Sequence, residues 1–154
     1  RALANFLAYY LKLLVGSVHL IYTSSEAEIF EEMIHIGEED ALIGLSFPRY
    51  SSKAVKTVHF AHSRRAKVIA ITDSILSPIA PYASSLLLAH SDMATIVDSL
   101  VAPLSVINAL IVAVSLRRLE DNRGTLETLE TLWQKYQVYQ PFGDRGFEED
   151  EKDE

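Results

Sequence analysis

Apolar residues recur along this chain at two spacings, and the alternation between them sets out the elements. Residues 2–15 are apolar except for a narrow line containing Asn5 and Lys12, with Arg1 just ahead, the pattern of a helix covered on most sides. Gly16-Ser17 ends it. Residues 18–22 (VHLIY) predict a strand, and Thr23-Ser24-Ser25 a turn with a helix cap. Ser25 and Glu28 have capping-box spacing, so the next helix is expected to run to about Ile36 and stop at residues 37–40. A strand at 41–46 follows, then the turn SFPRYSS, then a helix from about Ser51 to Arg64. Residues 66–71 (AKVIAI) are apolar apart from Lys67 at the start, as in a strand covered on both faces. Thr72-Asp73-Ser74 opens a loop, and 77–80 predict a short helix capped by Ser77 with Pro78 at its first position. A strand at 85–89, a long helix at about 94–119, a turn at Asp121-Asn122-Arg123-Gly124 and a helix at about 125–136 complete the pattern.

Alternating strands and helices imply parallel strands joined by helical crossovers. The expected class is α/β, a three-layer α/β/α sandwich with a parallel sheet. Because the chain starts inside a helix, the reading also expects a first strand and its loop to lie upstream of Arg1.

Composition supports one globular domain: 49% of residues are hydrophobic and 23% charged. The domain is expected to span residues 1–140, with 141–154 as a flexible acidic tail. From Gly143 onward seven acids and two bases give −5 of the net −7, leaving the body near neutral. A near-neutral body has no electrostatic footprint for nucleic acid. The absence of cysteine excludes disulfides and thiolate metal sites and favours an intracellular, cytoplasmic location. No signal peptide is visible, and the longest apolar run, residues 101–116, is interrupted by Pro103, Ser105, Asn108 and Ser115, so no membrane span is expected.

The candidate chemistry lies in SFPRYSS. In open parallel sheets ligands bind beyond the carboxyl ends of the strands. Ser46 ends a strand there, while Ser51 and Ser52 begin a helix whose amides and dipole favour an anion. Arg49 can add a charge-assisted contact. The alternative is that Ser51 or Ser52 merely caps the helix and Arg49 lies in water. Asp73 follows a strand end and can take a sugar hydroxyl, or else hold its own turn. His59 and His62 lie three apart on one helix with no third metal ligand suggested, and read as a solvated or partly packed pair. His90, at a strand end, is the best-placed histidine; His19 and His35 complete the set. No cofactor, metal or catalytic triad is expected.

The stretch DALIGLSFPRYSSKAVKTVHFAHSRRAKVIAITDSILSPIAPYASSLLLA resembles the sugar isomerase (SIS) domain, specifically the effector domain of RpiR-type bacterial transcriptional regulators. An S-F-x-x-Y-S loop, a K-V-I-A-I-T-D-S strand and an S-P-L-A-like turn occur in that group in this order. The resemblance extends from Arg1 to about Tyr139. It implies a five-stranded parallel sheet of flavodoxin-type order, a phosphosugar pocket and an upstream helix-turn-helix domain through which alone DNA would be bound. The ligand-binding residues are expected to be Ser46, Arg49, Tyr50, Ser51, Ser52, Thr72 and Asp73. In SIS domains the second loop usually reads S-x-S-G-x-T/S; Ser46 and Ser51 match its ends, while Pro48 and Arg49 replace the inner Ser and Gly. SIS isomerases often place a glutamate just after that loop, where this chain has Ser52-Lys53.

A phosphosugar sensor is therefore the leading expectation. A phosphosugar aldose–ketose isomerase and a purely structural dimerisation module are the alternatives. Asp98, Ser105, Asn108 and Ser115 share one side of the long helix, within about 100° on a wheel of 3.6 residues per turn. The remaining positions are largely apolar there, as they are in 2–15, which predicts a homodimer or higher oligomer through residues 2–15 and 94–119.

Overall fold

The computed structural model describes residues 1–22, 25–91 and 99–139. The chain divides into two units, Arg1–Arg118 and a second beginning at Leu119.

The first unit is built on a parallel sheet. β1 (Ala41–Leu45), β2 (Lys67–Thr72) and β3 (Ser85–Leu88) lie in the order β1-β2-β3. Leu45 faces Ile71 across the first ladder, and Thr72 faces Leu88 across the second, so the carboxyl ends of the strands come together at one edge of the sheet. Successive side chains point to opposite faces. Leu42, Val68, Ala70 and Leu86 meet Ile29 and Met33 from α2 (Glu26–Glu32) and its end, and Val58 and Ala61 from α3 (Ser52–Ser63). On the other face Ile43, Leu45, Ile71 and Leu87 meet Leu7 and Leu11 of α1 (Ala2–Val15) and Ile107 of α4 (Val101–Arg117). Two helical layers enclose one parallel sheet, which is the expected three-layer architecture.

Several expected elements differ. Residues 18–22 form no strand. Their alternation is nonetheless used, since Val18 packs with the α1/α4 layer and Ile21 with the α2/α3 layer. A strand also needs a hydrogen-bonded neighbour, and among the described residues none pairs with this segment, so the described sheet has three strands where four were expected within this chain and a fifth upstream of Arg1. α2 stops at Glu32 because the chain tightens into turns: Ile34 N–H donates to Glu31 O and Ile36 N–H to Met33 O. Ser25 stands at its N-cap, but its side chain makes no cap hydrogen bond. The helix expected at 77–80 is instead a 3-10 helix at Ala80–Tyr82 that uses Pro81, not Pro78, in its first turn. The turn expected at 121–124 is helical, within α5 (Leu119–Lys135), and the break falls at Arg118. A Cβ at Gly124 would meet nothing within 4 Å, so no close contact requires glycine there. An exposed helix tolerates glycine at a cost of about 1 kcal/mol relative to alanine.

The expected turn residues Thr23-Ser24, the helical start at 94–98 with Asp98, and the acidic tail 141–154 lie outside the described residues. No described helix is long and apolar enough to cross a membrane.

In the second unit the chain curls back at the end of α5, where Val138 N–H donates to Trp133 O at 2.9 Å. This sets the Tyr139 ring edge-to-face with Trp133 at 5.4 Å.

Candidate functional site

The carboxyl ends of β1 and β2 carry most of the expected residues. Ser46 follows β1 directly, and its N–H donates to Ile71 O at 3.1 Å, continuing the ladder by one residue. That bond draws the side chain inward: Ser46 is 5% exposed, and its Oγ has no hydrogen-bond partner. Pro48 and Arg49 then reverse the chain. Arg49 is exposed and holds φ at 66°, in the left-handed region that non-glycine residues seldom occupy.

The reversal brings Tyr50 across to β2. Its phenol donates to Asp73 Oδ1 at 2.8 Å and Oδ2 at 3.1 Å. Thr72, fully buried at the end of β2, donates from Oγ1 to Asp73 Oδ1 at 3.1 Å, while its carbonyl accepts Ala89 N–H at 2.8 Å. The hydrogen bond to the Asp73 carboxylate raises the Tyr50 pKa above its ordinary value, because a phenolate could not donate that bond and would be repelled.

Ser51 occupies the N-cap of α3 with extended backbone, φ −72° and ψ 124°, and Val55 N–H donates to its carbonyl. Its side chain makes no cap hydrogen bond, so capping does not account for the hydroxyl. Ser51 and Ser52 are both exposed, beside the first-turn amides of α3.

One residue read differently from the sequence belongs here. Ser74 Oγ accepts Leu76 N–H and its carbonyl accepts Ser77 N–H, forming a tight turn that buries Ser77 to 1% exposure. Ser77 caps no helix. Its Oγ has no hydrogen-bond partner of ordinary geometry, although it stands close enough to the Tyr50 phenol to lower that group's pKa slightly. The available signal was its position in the loop after β2, the same strand end as Thr72 and Asp73.

The structure thus gathers Tyr50, Thr72, Asp73 and Ser77 into one cluster. It sinks Ser46 at the end of β1, leaves Ser51 and Ser52 at the mouth of α3, and turns Arg49 outward. The histidines lie elsewhere or in solvent. His59 and His62 pack on the Tyr82 ring at 4.9 Å and 5.8 Å, and His62 Nδ1 lies 3.1 Å from Tyr82 O, a partly packed pair. His90 is exposed two residues beyond β3, and His19 and His35 are exposed as well. Among the described residues no group of three metal-ligating side chains occurs. A cavity of about 230 Å³ in the second unit is lined by Glu130, Trp133, Gln134 and Tyr139, and by none of the strand-end residues. The strand-end hydroxyls carry more weight than that cavity, because a buried donor without a partner is a chemical demand and a shallow hollow is not.

Residues 1–113 match the family model of the SIS domain. The sugar isomerase domain of an RpiR transcription factor from Sphaerobacter thermophilus superposes with a TM-score of 0.76 at 27% identity, over 84% of this chain and 72% of that one. The Vibrio vulnificus NanR protein, solved in complex with ManNAc-6P, gives a TM-score of 0.69 at 17% identity, over 85% of this chain and 50% of that one. A proposed phosphosugar isomerase from Bacillus subtilis gives 0.57 at 20% identity, over 88% of this chain and 42% of that one. At those identities the last two speak to the fold alone, and this chain spans half or less of their length. Among curated proteins, none matches the chain.

Proposed function

The chain belongs to the SIS domain family, and on that premise we propose that it is a phosphosugar-sensing effector domain of a bacterial transcriptional regulator. The observation that carries the reading is the pair of buried, partnerless hydroxyls, Ser46 and Ser77, at the carboxyl ends of a parallel sheet. Leaving a buried hydroxyl unpaired costs about 1–3 kcal/mol, and a ligand rich in donors and acceptors recovers that cost. Ser46, Ser51, Ser52 and the first-turn amides of α3 suit a phosphate monoester, since they offer directed hydrogen bonds without burying a counter-charge. Arg49 adds charge at the rim. Tyr50, Thr72 and Asp73 lie on the sugar side.

The ligand class is further supported by NanR, which was solved with a phosphorylated amino sugar. Binding without turnover is favoured by the cluster's chemistry. An isomerase needs a base within reach of a carbon-bound proton. The place just after the loop, where SIS isomerases often put a glutamate, holds Ser52-Lys53, and the Asp73 carboxylate is engaged by hydroxyl donors. In this reading the protein acts in the cytoplasm as a homodimer formed through residues 2–15 and α4. DNA is bound by a helix-turn-helix domain outside these residues, and ligand changes the relative orientation of two subunits.

The test is thermal melting with a panel of pentose and hexose phosphates, alongside an assay for ketose formation. One member at about 100 times its Kd is expected to raise Tm by roughly 5–10 °C, with no product. Ketose formation overturns the sensor reading, and no shift with any member overturns phosphosugar binding.

A further inference from the structure

Tyr50 and Asp73 are 23 residues apart in sequence, and the phenol reaches both carboxylate oxygens. Thr72 supplies a further donor to the same carboxylate. A carboxylate takes up a sugar hydroxyl in this way, by accepting O–H donors on its lone pairs. The phenol of Tyr50 is therefore an O–H group brought in from another loop and seated where a ligand hydroxyl could sit. Beside it, Ser77 Oγ is sealed from solvent without a hydrogen-bond partner of ordinary geometry, close to the phenol itself. The loop that delivers Tyr50 holds its preceding residue, Arg49, at φ 66°, a conformation that disfavours a side chain.

We propose that Thr72, Asp73 and Ser77 form a subsite for the hydroxyls of a sugar, that Tyr50 occupies it as the chain's own hydroxyl, and that a phosphosugar binds by exchanging one of its hydroxyls for the phenol. This rests on the phosphosugar reading: α3 and Ser46 take the phosphate end, and the subsite reads the other. Once the phenol leaves, Ser77 becomes available to the ligand, and its unmet hydrogen bond is satisfied. The chemistry also sets specificity. Asp73 accepts hydrogen bonds only, so the ligand must present a donor there, a hydroxyl or the N–H of an amino or acetamido group. A second phosphate or a carboxylate at that end is repelled, which excludes sugar bisphosphates and phosphorylated sugar acids.

Calorimetric titration tests this on the wild-type chain, Tyr50→Phe and Asp73→Asn. The probes are inorganic phosphate, glucose 6-phosphate, ribose 5-phosphate and N-acetylmannosamine 6-phosphate. The quantity read is the ratio of sugar-phosphate affinity to phosphate affinity. Removing the competitor in Tyr50→Phe is expected to raise that ratio about tenfold for the best-bound sugar, and Asp73→Asn to lower it about tenfold. Tyr50→Phe keeps the ring, and Ser77→Ala, expected to lower the ratio severalfold, probes the subsite while keeping both partners of the Tyr50–Asp73 hydrogen bonds. If the wild type binds both phosphate and a sugar phosphate while Tyr50→Phe leaves the ratio unchanged or lowers it, the exchange is refuted and the phosphate site stands. An unchanged ratio in Asp73→Asn equally refutes the subsite. If neither phosphate nor any sugar phosphate binds the wild type, the phosphosugar reading falls and takes this proposal with it.

Discussion

A Cβ added at Gly44 would lie 2.7 Å from Cγ2 of Val58, a residue of α3 that is 1% exposed. Valine is branched and stiff at χ1, so it has no flexible end to swing aside. Gly44→Ala must therefore push α3 away from β1. The expected cost is about 1–3 kcal/mol, seen as a lower midpoint of urea denaturation. Val58→Ala in the same chain should recover part of that loss; a double variant showing only the sum of the two single losses would mean that this contact is not the cause. The stretch ALIGL announces a strand but not this contact. Close approach depends on where a helical residue fourteen positions later comes to rest, and periodicity carries no record of it. The same limit applies to Ser77, whose burial follows from a turn set by Ser74 and not from its neighbours' hydrophobicity.

Between elements, the Tyr50–Asp73 bond ties the loop before α3 to the loop after β2. That tie has a pH signature. The bond to Asp73 raises the Tyr50 pKa above the ordinary 10.0, and it exists only while the phenol is protonated. Its contribution to stability is thus fully present below the ordinary value and is lost as pH rises through the higher folded-state value. The difference in Tm between wild type and Tyr50→Phe should be constant from neutral pH up to 10.0 and shrink above it, the subtraction removing the other tyrosines. A difference that stays flat throughout the alkaline range would show that the bond contributes nothing. The elements themselves were legible to unequal degrees. AKVIAI and the helix after SFPRYSS could be read because a strand buried on both faces leaves a short apolar run and an amphipathic helix leaves its 3.6-residue period. VHLIY could not, since its alternation assigns side chains to layers while strand formation waits on a ladder partner. DNRG misled because such residues permit a turn without requiring one, and α5 continues through them.

Across the whole molecule, α4 poses the question of what covers it. Its inner face places Pro103 and Ile107 against the core. On the outer face Val101, Val112 and Leu116 are 75%, 55% and 63% exposed, in line with Leu104, Ser105 and Asn108. Ser105 and Asn108 do turn outward and Ser115 is half-buried, yet polar residues are outnumbered on this face by apolar ones. Apolar area of this kind gains about 25 cal/mol per Å² when removed from water. A second copy presenting the same stripe across a twofold axis would cover it self-complementarily, with Asn108 near the middle free to pair with its counterpart. The wild-type chain should then scatter light with a mass near twice 17.2 kDa. Val112→Asp with Leu116→Glu should give the single mass while leaving the far-UV circular dichroism intact, because neither side chain supports the inner core. A wild type that runs at the single mass at about 50 μM, a protein concentration at which a micromolar dimer would be formed, would remove the second copy as the occupant of this face.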